Sequence, residues 1–140
     1  MSIRQSVVNE ARSWLGTPWG HNQCVKGNQV DCVRFVNAVA QSCGIVCGDL
    51  PKEYARLSNG IDIINYLDQW FKPKSIDDLK DGDILVFKYW GRPHHVALAT
   101  TLRGYRGMIH ASVECGKVTE HILDNIFLRI LVAVYDLGVD

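Results

Sequence analysis

The chain has 140 residues, with 15 Lys plus Arg balanced by 15 Asp plus Glu. That length suits one domain over residues 1–140, able to bury roughly 68–70% of its unfolded surface. The balanced charge excludes the basic footprint of a nucleic-acid binder, and no apolar run approaches the ~20 residues that cross a bilayer, so neither nucleic acid nor membrane is an expected partner.

Apolar residues at Ile3, Val7, Ala11, Trp14 and Leu15 predict an amphipathic helix over Ser2–Leu15, stopped by Gly16. The segment from Thr17 to Val30, with Pro18, Gly20, Asn22, Gly27 and Asn28, reads as a loop. A largely buried helix then starts at Cys32, with Arg34, Asn37 and Gln41 as its polar stripe and Gly44 closing it. Pro51–Leu57 is a candidate short helix, and Ile61–Phe71 a further amphipathic helix ended by Pro73. Beyond it the period changes to 2. Strands are predicted at Asp83–Tyr89, His95–Thr100, Gly107–Ala111, Gly116–His121 and Leu128–Tyr135. Helices followed by an antiparallel sheet make the expected fold class α+β. Trp14 and Trp70 are core candidates, and Trp19 and Trp90 lie in loops.

Five cysteines, Cys24, Cys32, Cys43, Cys47 and Cys115, form an odd set in a chain too large to need staples, which predicts free thiols in a reducing compartment. Met1 to Glu10 show no apolar segment before a small-residue cleavage site, so synthesis as a soluble cytoplasmic protein is expected.

Asp31 and Cys32 stand directly before the apolar helical pattern. As N-cap, Asp31 would accept from the amide of Val33 or Arg34 and leave Cys32 as the first helical residue, at the positive end of the helix dipole. With a cationic partner, such a thiol falls from about 8.5 toward roughly 3.5–7.5. Asp31 opposes that shift, so a histidine is required. Of His21, His94, His95, His110 and His121, the residue His95 shares a face with Ala97 and Ala99, small enough for the Cys32 helix to pack closely there. His110, on the next predicted strand, would lie beside His95 and hold its tautomer.

Four ordered pieces carry a family resemblance: Leu15-Gly16-Thr17-Pro18-Trp19-Gly20, Asp31-Cys32 opening a helix, Leu79 to Phe87 with its Lys80-Asp81-Gly82-Asp83 turn, and His95-Val96-Ala97-Leu98 followed by Met108-Ile109-His110-Ala111. In order and approximate spacing the chain resembles the NlpC/P60 cysteine peptidases. That resemblance implies a papain-like fold with N-terminal helices packed on a C-terminal antiparallel sheet. It makes Cys32 the nucleophile, His95 the general base and His110 the residue that orients it, with Asp31 shaping the site. The implied substrate is a peptidoglycan peptide, cut between the γ-carboxyl of D-glutamate and a diamino acid. The chemistry asks for no cofactor.

Departures from the family pattern fall on substrate-binding candidates: Val33-Arg34 replaces the usual Ser-Gly, Trp19 the usual Tyr, and Gly20-His21 a Gly-Gly pair. A lone domain without signal peptide or wall-binding repeat resembles the phage-tail and gene-transfer-particle versions, which implies tail-protein partners and a virion or particle location. Three alternatives stay beside the peptidase: a non-catalytic particle or wall-binding component, an N-acetylmuramoyl-L-alanine amidase on the same scaffold, and a structural zinc site. The last is disfavoured because Cys43-x-x-x-Cys47 has no paired knuckle.

Overall fold

The computed structural model describes residues 1–48, 61–89 and 91–139. The expected short helix at Pro51–Leu57 and the loop residue Trp90 lie outside them.

Helix α1 spans Ile3–Arg12, with Ser2 as N-cap accepting from the Gln5 amide. It buries Val7, Val8 and Ala11. The segment expected as an unbroken loop contains a two-stranded antiparallel ribbon, β1 (Cys24–Val25) with β2 (Gln29–Val30). These two-residue strands are too short for a periodicity signal. Helix α2 spans Cys32–Ser42, and α3 spans Ile61–Trp70.

Six further strands form one sheet: β3 (Lys72–Lys74), β4 (Ile84–Tyr89), β5 (Arg92–Leu102), β6 (Tyr105–Ser112), β7 (Lys117–Ile122) and β8 (Leu131–Asp136). Their order is β3-β8-β4-β5-β6-β7, and every neighbouring pair is antiparallel. The fold is therefore α+β, as expected. Pro73 ends no more than α3 itself and then sits in β3, an edge strand where its missing N–H costs no ladder bond.

The strand expected at Leu128–Tyr135 is corrected at its start, because Asn125–Ile130 form a short helix, α4. Asp124 caps it, accepting from the Phe127 amide at 3.0 Å. An Asp before an apolar run is a helix start, and that local signal outweighs β-branching here.

The sheet is buried on both faces. On one, Ile84, Val86, Val96, Leu98, Ile109 and Val118 meet Val7 and Ala11 of α1 and Val33, Val36 and Val39 of α2. On the other, Leu85, Phe87, Ala97, Ala99 and Met108 meet Phe127 and Ile130 of α4. This corrects the packing expected of α2, which lies on the Val96/Leu98 face and not on the small-residue face of Ala97 and Ala99. Val96 and Leu98 interlock with the helix, whereas the alanines leave room for Phe87 and Met108 beside them.

Helix α2 ends in a Schellman turn. Gly44, at φ +77°, donates to Gln41, and Ile45 donates to Ala40. Asn37, expected in the solvated stripe, is instead drawn inward. Its amide donates to Tyr66 Oη at 2.7 Å and to the Gly48 carbonyl at 3.1 Å, tying α2 to α3. Trp14 is buried edge-on against Phe35, but Trp70 is 36% exposed.

Asp83 is fully buried and accepts from Arg4, Lys74 and the amides of Lys80 and Leu137. The turn before it needs Gly82, at φ +88°, where a Cβ would lie 3.0 Å from Leu137. Among the described residues no helix is long and apolar enough to cross a membrane.

Candidate active site

Cys32 is the first residue of α2. Its N-cap Asp31 accepts from the Arg34 amide at 2.9 Å, one of the two partners expected. The half-buried Cys32 thiol rests against the backbone amide of Val96, the residue after His95. Burial dominates its chemistry and pushes the thiol up to about 12. The amides of Val96, Val33 and Cys32 favour the thiolate, and the Asp31 charge works against it. The lowered thiol expected of a helix start facing a cationic histidine is therefore corrected: the buried histidines are held low, and desolvation outweighs the amides of one helix end.

His95 enters at a bulge. The β4–β5 register pairs Phe87 with His95 and Lys88 with Pro93, leaving His94 as the extra residue. The His95 ring is 3% exposed and stacked on Tyr89 with centroids 4.9 Å apart. Burial, reinforced by His110, His94 and His121, holds it well below the usual histidine range.

His110 projects from β6 on the same face. His95 Nε2 and His110 Nδ1 are 2.6 Å apart, the pairing expected of neighbouring antiparallel strands. Burial and then His121 push His110 down to about 3. Both rings are therefore neutral near pH 7. His110 Nε2 lies 2.9 Å from His121 Nε2, and His121 Nδ1 lies 2.9 Å from the Ile122 carbonyl. Phe127 packs against both His110 and His121, with centroids 5.8 and 5.0 Å away.

The resting pair at this site is a neutral thiol and a neutral imidazole. A hydrogen bond from His95 Nε2 to His110 Nδ1 leaves His95 Nδ1 with a lone pair, the form a general base needs. Cys32 and His95 share no hydrogen bond among the described residues, a separation that apo sites often show before substrate closes them.

The remaining candidates are placed unevenly. Asp31 is 3% exposed, and its Oδ2 lies 3.5 Å from Arg34 Nε. Arg34 also donates to Asn22 at 3.2 Å, so the guanidinium bridges the helix start and the preceding loop. Trp19 is half-buried against the core and donates its amide to Gly116. His21 is exposed on the loop. Val33 is 5% exposed and packs in the core.

Tyr89 and His121 are the neighbours that the sequence reading missed. Tyr89 falls two residues after Phe87 and so shares its face, a period-2 signal that was present in the chain. Burial, with Glu114, Cys32 and Cys115 nearby, pushes its hydroxyl up to about 12. All five cysteines are free thiols. Among the described residues, no group of three or more His, Cys, Asp or Glu side chains is arranged to hold a metal ion.

The fold has counterparts among solved structures. An NlpC/P60 family protein from Bacillus cereus superposes with a TM-score of 0.69 at 20% identity, covering 96% of this chain and 40% of that one. The chain thus spans less than half the length of that relative. The NlpC/p60 domain of the peptidoglycan hydrolase SagA gives 0.62 at 21% identity, covering 95% and 97%. RipD from Mycobacterium tuberculosis, described as a non-catalytic NlpC/p60 domain protein adapted to peptidoglycan binding, gives 0.62 at 15% identity over 97% and 98%. No curated protein matches in sequence. The model of the NlpC/P60 family matches residues 16–132, most of the chain from the first loop to the last strand, and the protein belongs to that family.

Proposed function

We propose that residues 1–140 form one catalytic domain, a cysteine peptidase that hydrolyses peptidoglycan peptides at the bond between γ-D-glutamate and a diamino acid. The observation that carries this reading is the 2.6 Å His95–His110 pair on strands whose Val96 amide, next to His95, meets the Cys32 thiol. The SagA likeness supplies the substrate class.

Because thiol and imidazole rest uncharged, proton transfer accompanies attack and does not precede it. His95 Nδ1 takes the Cys32 proton as sulfur bonds to the amide carbonyl, and His110 steadies the imidazolium through Nε2–H. The backbone amides of Cys32 and Val33 face the sulfur, so the helix start is the natural stabiliser of the oxyanion. His95 then protonates the departing amine, leaving a thioester. Water, deprotonated by His95, releases the acid and regenerates the thiol.

Digestion of purified peptidoglycan tests the proposal through its products. New amino termini on the diamino acid, lost in Cys32→Ala, support it. New L-alanine amino termini would make the protein an amidase. A second reading, a wall-binding member without catalysis, is favoured by the raised Cys32 thiol and the likeness to RipD. Retention on peptidoglycan with no new termini from either bond would select it.

A further inference from the structure

Three imidazoles stand in line across three adjacent strands: His95 on β5, His110 on β6 and His121 on β7. The contacts run from His95 Nε2 to His110 Nδ1 at 2.6 Å and from His110 Nε2 to His121 Nε2 at 2.9 Å. The line ends at His121 Nδ1, 2.9 Å from the Ile122 carbonyl. Strand register explains the alignment. His110 is opposite Thr119 and Met108 is opposite His121, so the His110 and His121 rings are diagonal neighbours on one face.

A row of neutral imidazoles has two self-consistent proton arrangements, one the reverse of the other. In each ring one nitrogen donates and the other accepts, so choosing either end chooses the whole row. A carbonyl oxygen can only accept. The Ile122 carbonyl therefore requires the proton on His121 Nδ1, which leaves a lone pair on His121 Nε2. His110 must then donate from Nε2 and accept at Nδ1, and His95 must donate from Nε2. The lone pair that remains at the far end is on His95 Nδ1.

We propose that His121 is a positioning residue that transmits the directionality of the Ile122 carbonyl through His110 and so holds His95 in the tautomer with a free Nδ1. In the reversed row, His95 would carry its proton on Nδ1 and have nothing to accept with at that atom. His110 alone does not decide between the two arrangements, because a neutral imidazole can face His95 Nε2 as donor or as acceptor. A carboxylate or an amide oxygen in a third position decides by chemistry. A histidine there needs a fourth group, and His121 backed by Ile122 is the one present.

The surroundings of His95 and His110 favour the neutral rings that the row requires. Burial holds His95 and His110 far below their usual range. The groups facing His121 are His110 from β6, Phe127 from α4 and the Ile122 carbonyl of its own strand. Glu120, next along β7, pairs with Arg12 instead.

The inference concerns the tautomer of His95 and rests on the peptidase reading only for its catalytic meaning, so the test reads the two separately. Protein labelled with ¹⁵N-histidine reports the protonated nitrogen of each ring by long-range ¹H–¹⁵N correlation, without substrate. His95 and His110 are expected as Nε2–H tautomers and His121 as Nδ1–H. His121→Phe keeps a flat ring but removes the acceptor, so His95 should become a mixture of tautomers. His121→Glu supplies an acceptor-only group and should restore the Nε2–H form. Iodoacetamide alkylation of Cys32 at pH 8, followed by peptide mapping, should slow at least threefold in His121→Phe and recover in His121→Glu. A His95 that is Nδ1–H in the unaltered protein, or that stays wholly Nε2–H in His121→Phe, would overturn the proposal. If the tautomers follow His121 while neither Cys32 alkylation nor peptidoglycan cleavage depends on them, the positioning role stands and the peptidase reading falls.

Discussion

His95 Nε2 and His110 Nδ1 meet at 2.6 Å with their ring planes 75° apart, each projecting from its own strand of an antiparallel pair. His110 presents an edge nitrogen to a ring whose face is covered by Tyr89. Removing that partner in His110→Ala is expected to lower kcat by about 10²–10⁴-fold with little change in KM, since only the proton-transferring step loses support. His110→Asn, whose amide oxygen can accept from His95, is expected to retain more activity than His110→Ala. Steady-state kinetics on a stem-peptide substrate checks both.

The bulge at Phe87/Lys88 decides between the two adjacent histidines. His95→Ala is expected to cost about 10²–10⁴-fold in kcat/KM. His94→Ala, at the extra residue of the bulge, should cost less than about threefold, within the range of substitutions outside a site. A larger loss in His94→Ala would move the base to the other face of β5.

With burial holding the Cys32 thiol up to about 12, no thiolate is stored in the resting site. Its alkylation by iodoacetamide should be slow at pH 6 and rise about tenfold per pH unit toward pH 9, as thiolate population does below a thiol's own range. A rate already at its plateau in mild acid would instead reveal a preformed thiolate–imidazolium pair.

Two buried neutral histidines also make the fold sensitive to acid. In the unfolded chain each takes up a proton near its ordinary value of 6.5, whereas folding lowers His95 well below that and His110 to about 3. The unfolded state thus binds more protons below pH 6.5, and stability falls as the pH drops toward 3. Each histidine contributes a slope of about 1.4 kcal/mol per pH unit within its window. Urea midpoints at pH 7.5 and pH 5 should show this loss, reduced in His110→Asn. Equal midpoints for the unaltered protein would contradict it.

Asp83 gathers two cations and two backbone amides with no exposure to solvent. Asp83→Ala leaves Arg4 and Lys74 without that carboxylate and should destabilise the fold by about 3–5 kcal/mol, read from urea denaturation. Activity per folded molecule should be unchanged, because Asp83 touches neither Cys32 nor the histidines.

Local chemistry was the part legible in the chain. The Asp31 cap, the Gly44 turn and the alternation around His95 and His110 each follow from residues close in sequence or from adjacent strands. What was not legible depended on the third dimension. Small residues at Ala97 and Ala99 suggested a helix contact, but volume on both faces decides packing, and Val96 with Leu98 received α2. Asn37 reads as polar until Tyr66, 29 positions away, supplies its partner. Helix dipole and thiol were visible at Asp31-Cys32, while the degree of desolvation that reverses their outcome was not. His121 was visible as a strand residue, yet its role emerges only from register across three strands.

Arg4 reaches from α1 to the Val139 carbonyl at 3.0 Å while also gripping Asp83 and Asp136. One guanidinium thereby fastens the opening turn of the chain to its last described residue. Arg4 and Val139 thus lie within the reach of one side chain, so a host polypeptide could run into the fold and out again through a narrow doorway. Joining the tips by a short linker and opening the chain at the β6–β7 turn would yield a circular permutant that keeps the sheet order, the imidazole row and the start of α2.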